Sequence, residues 1–574
     1  MRVASRQEQA DLVVTNCNVL SVHTMTFHHT NLLIAEGRIA AWDRAVEKGK
    51  EVIDARGSYA VPGLIDAHTH VEAAMLTVEA LARLLVPRGV TTLMADLHEI
   101  GNVLGGAGVE VLAEGANRVP LRLFLQIPAA LDPEEATRLL RRPDAVSFGE
   151  ASLPRIVRDP DKFTRMFAEA HAQGRLVSGH AAGLGAGPWL SALAALGHAD
   201  DHECVDIEQA KSRLLVGQRV MIREGSAARN LQSLVPLVRE HPEWADLFMF
   251  CTDDRTVGDI LERGHMDDCL RSAIRYGLMP ATALRMATLN CAVHHRLDTH
   301  VGSLAPGRLA DVLLLDDLEA FLPEMVIVGG EVVARSGEPD WEAPPEVSFP
   351  EAYLNTVHLG RSLEEGGLRL PLPDGEVSVR ILRMVPHQIL KYIDEETVTV
   401  RDGRIHEGQD RDILKILVIE RHKGTKQIGI GLVRGFGLRR GALASTVAHD
   451  DHNLVVIGVT DADILLAVKS IEEMQGGLVV VDQGEVTARV ALPLAGLISL
   501  KGGPDLAGEL QAAERAARDL GCLLPAPFMA LSFVPLVGIP KAGLSEFGLV
   551  DAVTYEKLPL RIGRSTDIFT AADP

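Results

Sequence analysis

His68 and His70 stand two residues apart in the apolar stretch VPGLIDAHTHVEAAM, residues 61 to 75. In a β-strand that spacing turns both imidazoles to one side. Two nitrogen donors on one face of a buried strand meet no packing need, and they cost free energy unless they bind something. Metal ligation is the chemistry they suit, so the rest of the chain can be searched for further ligands.

Ionisable residues recur at the ends of other strand-like runs: His98 and Glu99 in ADLHE, Glu150 in SFGE, His180 in SGH, His202 and Glu203 in DDHEC, and Asp253 and Asp254 in CTDD. Histidine nitrogens mixed with carboxylates suit Zn, Mn or Fe better than Ca. Four histidines and two carboxylates are enough for two divalent ions that share a bridging carboxylate and a bridging water. A lone His180 or His202 would more often be a hydrogen-bonded structural histidine. Packing alone is a poor explanation for six such residues at the ends of five strands.

Something must bring these ends together. Between residues 61 and 300, strand-like and helix-like stretches alternate, the pattern of parallel βα units. Eight strand candidates can be read there: LIDAHTH, TTLMADLHE, LRLFLQIP, AVSFGE, RLVSGH, HADDHE, RVMIREG and LFMFCTDD. Eight is the number that closes a barrel, and such a barrel carries its active site at the carboxyl ends of its strands. The stretches VEALARLLVPRG, DKFTRMFAEAHAQG, PWLSALAALG and IEQAKSRLLVGQ read as outer helices that close near glycine.

Short alternating strands before residue 60 have a counterpart at 301–340, and the two segments are expected to pair as one discontinuous β-domain. Residues 341–372, rich in Pro, Gly and acids, read as a linker, and 373–574 as a further α+β domain. The expected class is therefore α/β: a (β/α)8 barrel with a composite small β-domain and an additional C-terminal α+β domain.

Composition narrows the partners. A formal net charge of −21 disfavours nucleic acid and anionic membranes, which would be repelled over most of the surface. The N-terminus lacks a secretory pattern, and no run reaches the roughly 18 apolar residues of a membrane span. The 6 cysteines form no CxxC pair and suit a reducing compartment. A cytoplasmic protein directed at small molecules is expected.

Longer strings carry a resemblance. PGLIDAHTH with the later histidines and Asp253 resembles the amidohydrolase superfamily, whose members use metal-bound hydroxide to hydrolyse amide, ester or amine bonds. GVTTLMADLHEIGNV, DDHEC, VMIREGSAARNL, CTDDR, ALRMATLN, LAPGRLADVLLLDDL, IGIGLVRGFGLRRGALASTVAHDDHN and PFMALSF are similar to one branch, the bacterial adenine deaminases, nearly end to end. The resemblance implies that His68 and His70 bind one metal and His180 and His202 the other. It further implies that Glu150 bridges in place of the carboxylated lysine of other branches, and that Asp253 completes the site. His98, with Glu99, is a candidate accessory ligand or substrate contact. The chain departs from the family text at Glu72-Ala73-Ala74, at Leu97 and in GHAAG, all at expected pocket loops, so adenine recognition is where it is expected to differ most.

The implied reaction is attack of hydroxide on C6 of a purine-like ring with loss of ammonia. Asp253 is the candidate acceptor of the water's proton, and Glu203 the candidate donor to the ring nitrogen. The alternative for Glu203 is to orient His202. Glu72, Arg223, Glu224, Ser226 and Asp254 are candidate substrate contacts, with Ser226 alternatively capping a helix. His449, Asp450, Asp451 and His452 in AHDDHN form a second polar cluster, which by residue type alone suits metal binding or a surface turn; the resemblance implies a lid or pocket contact from the C-terminal domain. A cyclic amide or imide hydrolase is the alternative reaction, and a catalytically silent metal-binding protein the remote one. A homodimer or larger assembly is expected.

Overall fold

Alternating strands from both ends of the first 340 residues meet in a single sheet. The computed structural model describes the chain apart from residues 227, 345–346, 361–362, 386–390, 407, 538–541, 553 and 564–574. In this sheet Tyr59–Pro62 runs antiparallel to Val312–Leu315, with Ala60 opposite Leu314. On one side of that junction lie Ala10–Ser21, Thr26–Ala35 and Arg38–Trp42; on the other lie Pro323–Val328, Glu331–Arg335 and Glu338–Pro339. The alternation legible in the sequence has its cause here, because Leu12, Val14, Val19, Leu32, Ile34, Val312 and Ile327 point into one shared core.

Between these segments lie the eight strands of the barrel: β1 Leu64–His70, β2 Val90–Asp96, β3 Arg122–Ile127, β4 Ala145–Ser152, β5 Leu176–His180, β6 Asp200–Asp201, β7 Arg219–Arg223, and β8, which comprises Phe248–Cys251 and Asp253–Asp254. All neighbours are parallel, from β1–β2 through β4–β5. A bridge between Val177 and His198 joins β5 to the β6 segment, which continues through β7 to β8. The ring closes where Asp253 and Asp254 pair with Thr69 and His70 of β1. All eight strand candidates are present, in ring order.

Ile65, Ala67, Met94, Val146, Met221, Met249 and Cys251 form one buried cluster with Cys291, Ala292 and Val301. These residues come from β1, β2, β4, β7 and β8, several of which are not neighbours in the ring, so the cluster fills the barrel interior. Each large member contributes about 1.5–3 kcal/mol of burial, which gives the site a rigid floor. The outer helices start at side-chain caps: Thr77 accepts from Ala80 N, Asp159 from Lys162 N and Asp206 from Gln209 N.

The chain divides into two compact units, one of Met1–Gly101 and Gly105–Val347 and the other of Ser348–Pro574 with Asn102–Leu104. The second unit holds a nine-stranded, mostly antiparallel sheet and the helices Asp461–Met474 and Gly503–Asp519. Its division from the first falls inside the expected linker 341–372, of which residues 345–346 and 361–362 lie outside the described residues. Val357, Leu359 and Leu368 of that interval are buried in the second unit's core.

Candidate metal centre

Glu150, at the end of β4, is the hub. Its Oε1 lies 2.7 Å from His68 Nε2, 3.1 Å from His70 Nε2 and 3.4 Å from His202 Nε2, and its Oε2 lies 3.5 Å from His180 Nδ1. Asp253 adds Oδ1 at 3.5 Å from His68 Nε2 and 3.1 Å from His70 Nε2. The barrel thus gathers side chains from β1, β4, β5, β8 and the turn after β6 around one carboxylate.

Local backbone makes this convergence feasible. Pairing of β1 with β2 shifts register between Asp66 and Thr69. Asp66 therefore does not join the histidines, although it shares their spacing; its carboxylate accepts from Thr252 N, Thr252 Oγ1 and His68 N. Thr252 is the residue at which β8 is interrupted, and Asp253 next to it adopts φ +58°. Aspartate tolerates that left-handed conformation better than most residues. At Gly179, before His180, a Cβ would lie 2.3 Å from Asp200 O, so the close approach of β5 to β6 requires glycine.

The remaining ring nitrogens are held from behind. His68 Nδ1 faces Gln126 Oε1 at 2.5 Å and His70 Nδ1 faces Asp96 O at 2.9 Å. Both arrangements leave Nε2 pointing at Glu150 and Asp253, the usual way a metal-binding imidazole is oriented.

The charges are strongly coupled. Against a burial that works to lower it, Asp253 and Glu150 push His68 up to about 10; Glu203, then Glu150, push His180 up to about 9. Against a burial that works to raise them, His70 holds the Glu150 carboxyl well below the usual range and Arg223 does the same for Asp253. The carboxylates call for positive charge at this point, which a divalent ion supplies as well as protons do.

The donor set fits a metal. His68 Nε2 and His180 Nδ1 are buried without a hydrogen-bond partner among the described residues. His68, Glu150, His202 and Asp253 can each offer one ligand atom within 4.8 Å of the others; so can His180, His202 and Glu203, and so can His70, His98 and Glu150. Imidazole and carboxylate suit Zn, Mn or Fe.

Comparison with known proteins agrees with this geometry. Residues 59–333 match the amidohydrolase family and residues 388–556 the adenine deaminase C-terminal domain. The chain is 38% identical over 576 residues to the adenine deaminase of Desulforamulus reducens, with 97% of each chain covered. The chain belongs to the adenine deaminase family. It is 37% identical over 573 residues to the family member of Dehalococcoides mccartyi (97% of this chain, 98% of the relative), and 35% over 571 residues to that of Halalkalibacterium halodurans (97% and 96%).

The other candidates of this adenine deaminase family member occupy three kinds of place. Some stand at the ring. Arg223 Nη1 donates to Glu203 Oε1 at 2.6 Å and to Asp253 Oδ2 at 2.8 Å, binding together the two candidate proton carriers. Glu203 Oε1 is 3.3 Å from His202 Nε2 and 3.6 Å from His180 Nδ1. His98 packs edge-on to His70 with ring centres 4.5 Å apart, and Asp254 can bring an oxygen within 4.8 Å of His70 and Asp253 ligand atoms.

Others brace loops. Glu72 is buried, its Oε1 accepts from Ile100 N, and burial together with neighbouring Glu99 pushes it up to about 8. Glu224 accepts from Leu231 N at the start of the helix Leu231–Glu240. Ser226 accepts from Thr256 N and so ties the β7 loop to the one after β8.

His449 and His452 belong to the second unit. There His449 stacks on Phe533 with ring centres 5.6 Å apart, and buried His452 accepts from Ala448 N through Nδ1.

Three neighbours of the candidate ligands were not singled out by residue type and spacing: Asp66, Asp96 and Gln126. Asp96 is fully buried, and neither carboxylate oxygen has a hydrogen-bond partner among the described residues. A Cβ at Gly149 would lie 2.3 Å from Asp96 Oδ2. The spacing of Asp66 to His68 and of Asp96 to His98 was a usable signal, as was a glutamine at the end of an apolar strand.

Proposed function

We propose that the protein is a binuclear, metal-dependent deaminase that hydrolyses adenine to hypoxanthine and ammonia. The observation that carries this reading is Glu150, one carboxylate facing four histidines in a member of the adenine deaminase family. His68 and His70 would hold one ion and His180 and His202 the other, with Glu150 between them and Asp253 completing the set. Mn, Fe and Zn are the candidate metals. Two such ions, when bound, acidify a shared water enough to supply hydroxide near neutrality.

The chain's own groups account for the protons. Asp253 would take one proton of the attacking water and return it to the departing amino group, which leaves as ammonia, and Glu203 would take the other and deliver it to the purine ring nitrogen. Arg223, donating to both, keeps the two carboxylates ionised before substrate arrives. Burial opposes ionisation of Glu203, but His180 and Arg223 outweigh it and hold the carboxyl far below its ordinary range. Glu203 therefore donates only a proton that it has itself received, which fits relay from the water better than a resting acid. His98 and Asp254 are the candidates to contact the ring or an additional ligand. We also propose a cytoplasmic homo-oligomer, a reading supported by six free and buried cysteines and by the length of the chain.

The test is ammonia release from adenine by full-length protein loaded with Mn2+, with hypoxanthine followed by absorbance. Turnover of adenine is expected. Loaded protein that releases no ammonia from adenine, yet opens cyclic amides or imides, would transfer the chain to that reaction.

A further inference from the structure

A one-way chain of hydrogen bonds runs behind His68. Asp200 Oδ1 accepts from Gly179 N at 3.1 Å, and Oδ2 lies 2.6 Å from His294 Nε2. Ser178 donates through Oγ to Asp200 Oδ2 at 3.4 Å, with Ser147 Oγ a second neighbour at 3.2 Å. Gln126 Nε2 donates to Ser178 Oγ at 3.2 Å. The other end of the same amide, Oε1, faces His68 Nδ1 at 2.5 Å. Gln126, Ser178 and Asp200 are all buried.

Each link dictates the next. Ser178 Oγ turns its hydrogen towards Asp200 Oδ2 and Ser147 Oγ, which leaves its lone pairs for Gln126 Nε2. The amide must then present NH2 to Ser178 and its oxygen to His68. An oxygen at that point requires hydrogen on Nδ1, which in the neutral imidazole that binds a metal leaves Nε2 as a bare lone pair. Nε2 is the atom 2.7 Å from Glu150 and without a hydrogen-bond partner. With the amide reversed, Nδ1 would accept and Nε2 would carry the hydrogen, blocking ligation.

We propose that Gln126 is the positioning residue of the metal centre, holding His68 as the Nδ1–H tautomer, and that Ser178 and Asp200 set the direction of its amide. The proposal rests on the reading of His68 as a metal ligand. Outer partners of ligating histidines typically change metal affinity by about 10- to 100-fold when removed. Unlike the usual carboxylate or backbone carbonyl, an amide can face either way, so its orientation has to be imposed by neighbours. This chain places a buried serine and aspartate where they impose it.

The experiment titrates metal-free full-length protein with Mn2+ alone, in competition with a fluorescent chelator, for wild type, Gln126→Leu, Gln126→Glu, Ser178→Ala and His68→Ala. Gln126→Leu should weaken Mn2+ binding by about 10- to 100-fold. Gln126→Glu, which still accepts from Nδ1–H, should bind as tightly as wild type or tighter, and Ser178→Ala should bind more weakly than wild type. A role in packing alone reverses the order, because leucine fills the space and a buried glutamate does not. Gln126→Leu binding like wild type while His68→Ala has lost the site would overturn the proposal. His68→Ala binding like wild type would instead overturn the metal reading of His68. Should the leucine variant fail to fold, Gln126→Glu binding more weakly than Ser178→Ala would overturn the proposal equally.

Discussion

Arg223 reaches Asp253 and Glu203 with the same nitrogen: Nη1 is 2.8 Å from Asp253 Oδ2 and 2.6 Å from Glu203 Oε1. One cation therefore holds in place the two carboxylates of the proposed proton path. Replacing it with methionine should lower kcat for adenine by about 100-fold or more, the scale of lost acid–base catalysis. Metal content should stay near that of wild type, because Arg223 is not a ligand. Steady-state kinetics with metal analysis checks both, and an unaltered kcat would remove Arg223 from the proton path.

Glu150 makes the sharpest demand on the metal. Glu150→Gln preserves shape but removes the charge that faces four histidines. Metal affinity should fall by more than about 100-fold, beyond the loss expected for an outer partner, and deaminase activity should fall with it. Chelator treatment of wild type should abolish activity reversibly, with Mn2+ restoring it. Elemental analysis and the ammonia assay on the same samples read both effects; activity that survives in metal-free Glu150→Gln would refute the centre.

Arg213 and Asp201 form an ion pair at 2.8 Å with both side chains at 0% exposure. Arg213 also donates to Ala181 O and Leu184 O, which secures the loop that follows His180. Arg213→Met would leave Asp201 charged and unpaired in the interior. A loss of about 3–5 kcal/mol is expected, readable as a lower urea midpoint for the first unit. A midpoint within error of wild type would show that the pair contributes nothing.

Lys391 supplies a pH dependence to the second unit. It is buried in the second unit, donates to Phe533 O and Leu536 O, and burial pushes it down to about 7 from 10.5. Below pH 7 the folded and unfolded chains both hold the proton. Between about 7 and 10.5 only the unfolded chain does, so stability should rise with pH across that window, by up to about 1.4 kcal/mol per unit. Lys391→Met should flatten this slope. Urea unfolding of both proteins at several pH values in the window decides it, and parallel slopes would refute the assignment.

Much of the fold was legible because the barrel repeats a simple period. The eight apolar runs ending in polar residues could be counted in order, and strand spacing alone placed His68 and His70 on one side. The composite β-sheet was legible from two separated segments with the same alternation. Glu224 and Ser226 were legible only as polar residues after a strand. Whether such side chains turn to the site or cap a neighbouring helix depends on backbone torsions that residue type does not set.

The sequence by itself determined which residues are candidate metal donors and which strands carry them, since the candidates stand at the ends of apolar runs whose period is local and their chemistry is written in single residues. Only the tertiary structure decided that Glu150 lies among all four histidines, that Asp66 turns away from them at a shift of register, and that Arg223 spans Glu203 and Asp253. It alone revealed Gln126 behind His68. Those relations join residues far apart in the chain, and they come into being when eight strands close into a ring and bury an amide, a hydroxyl and a carboxylate against one another.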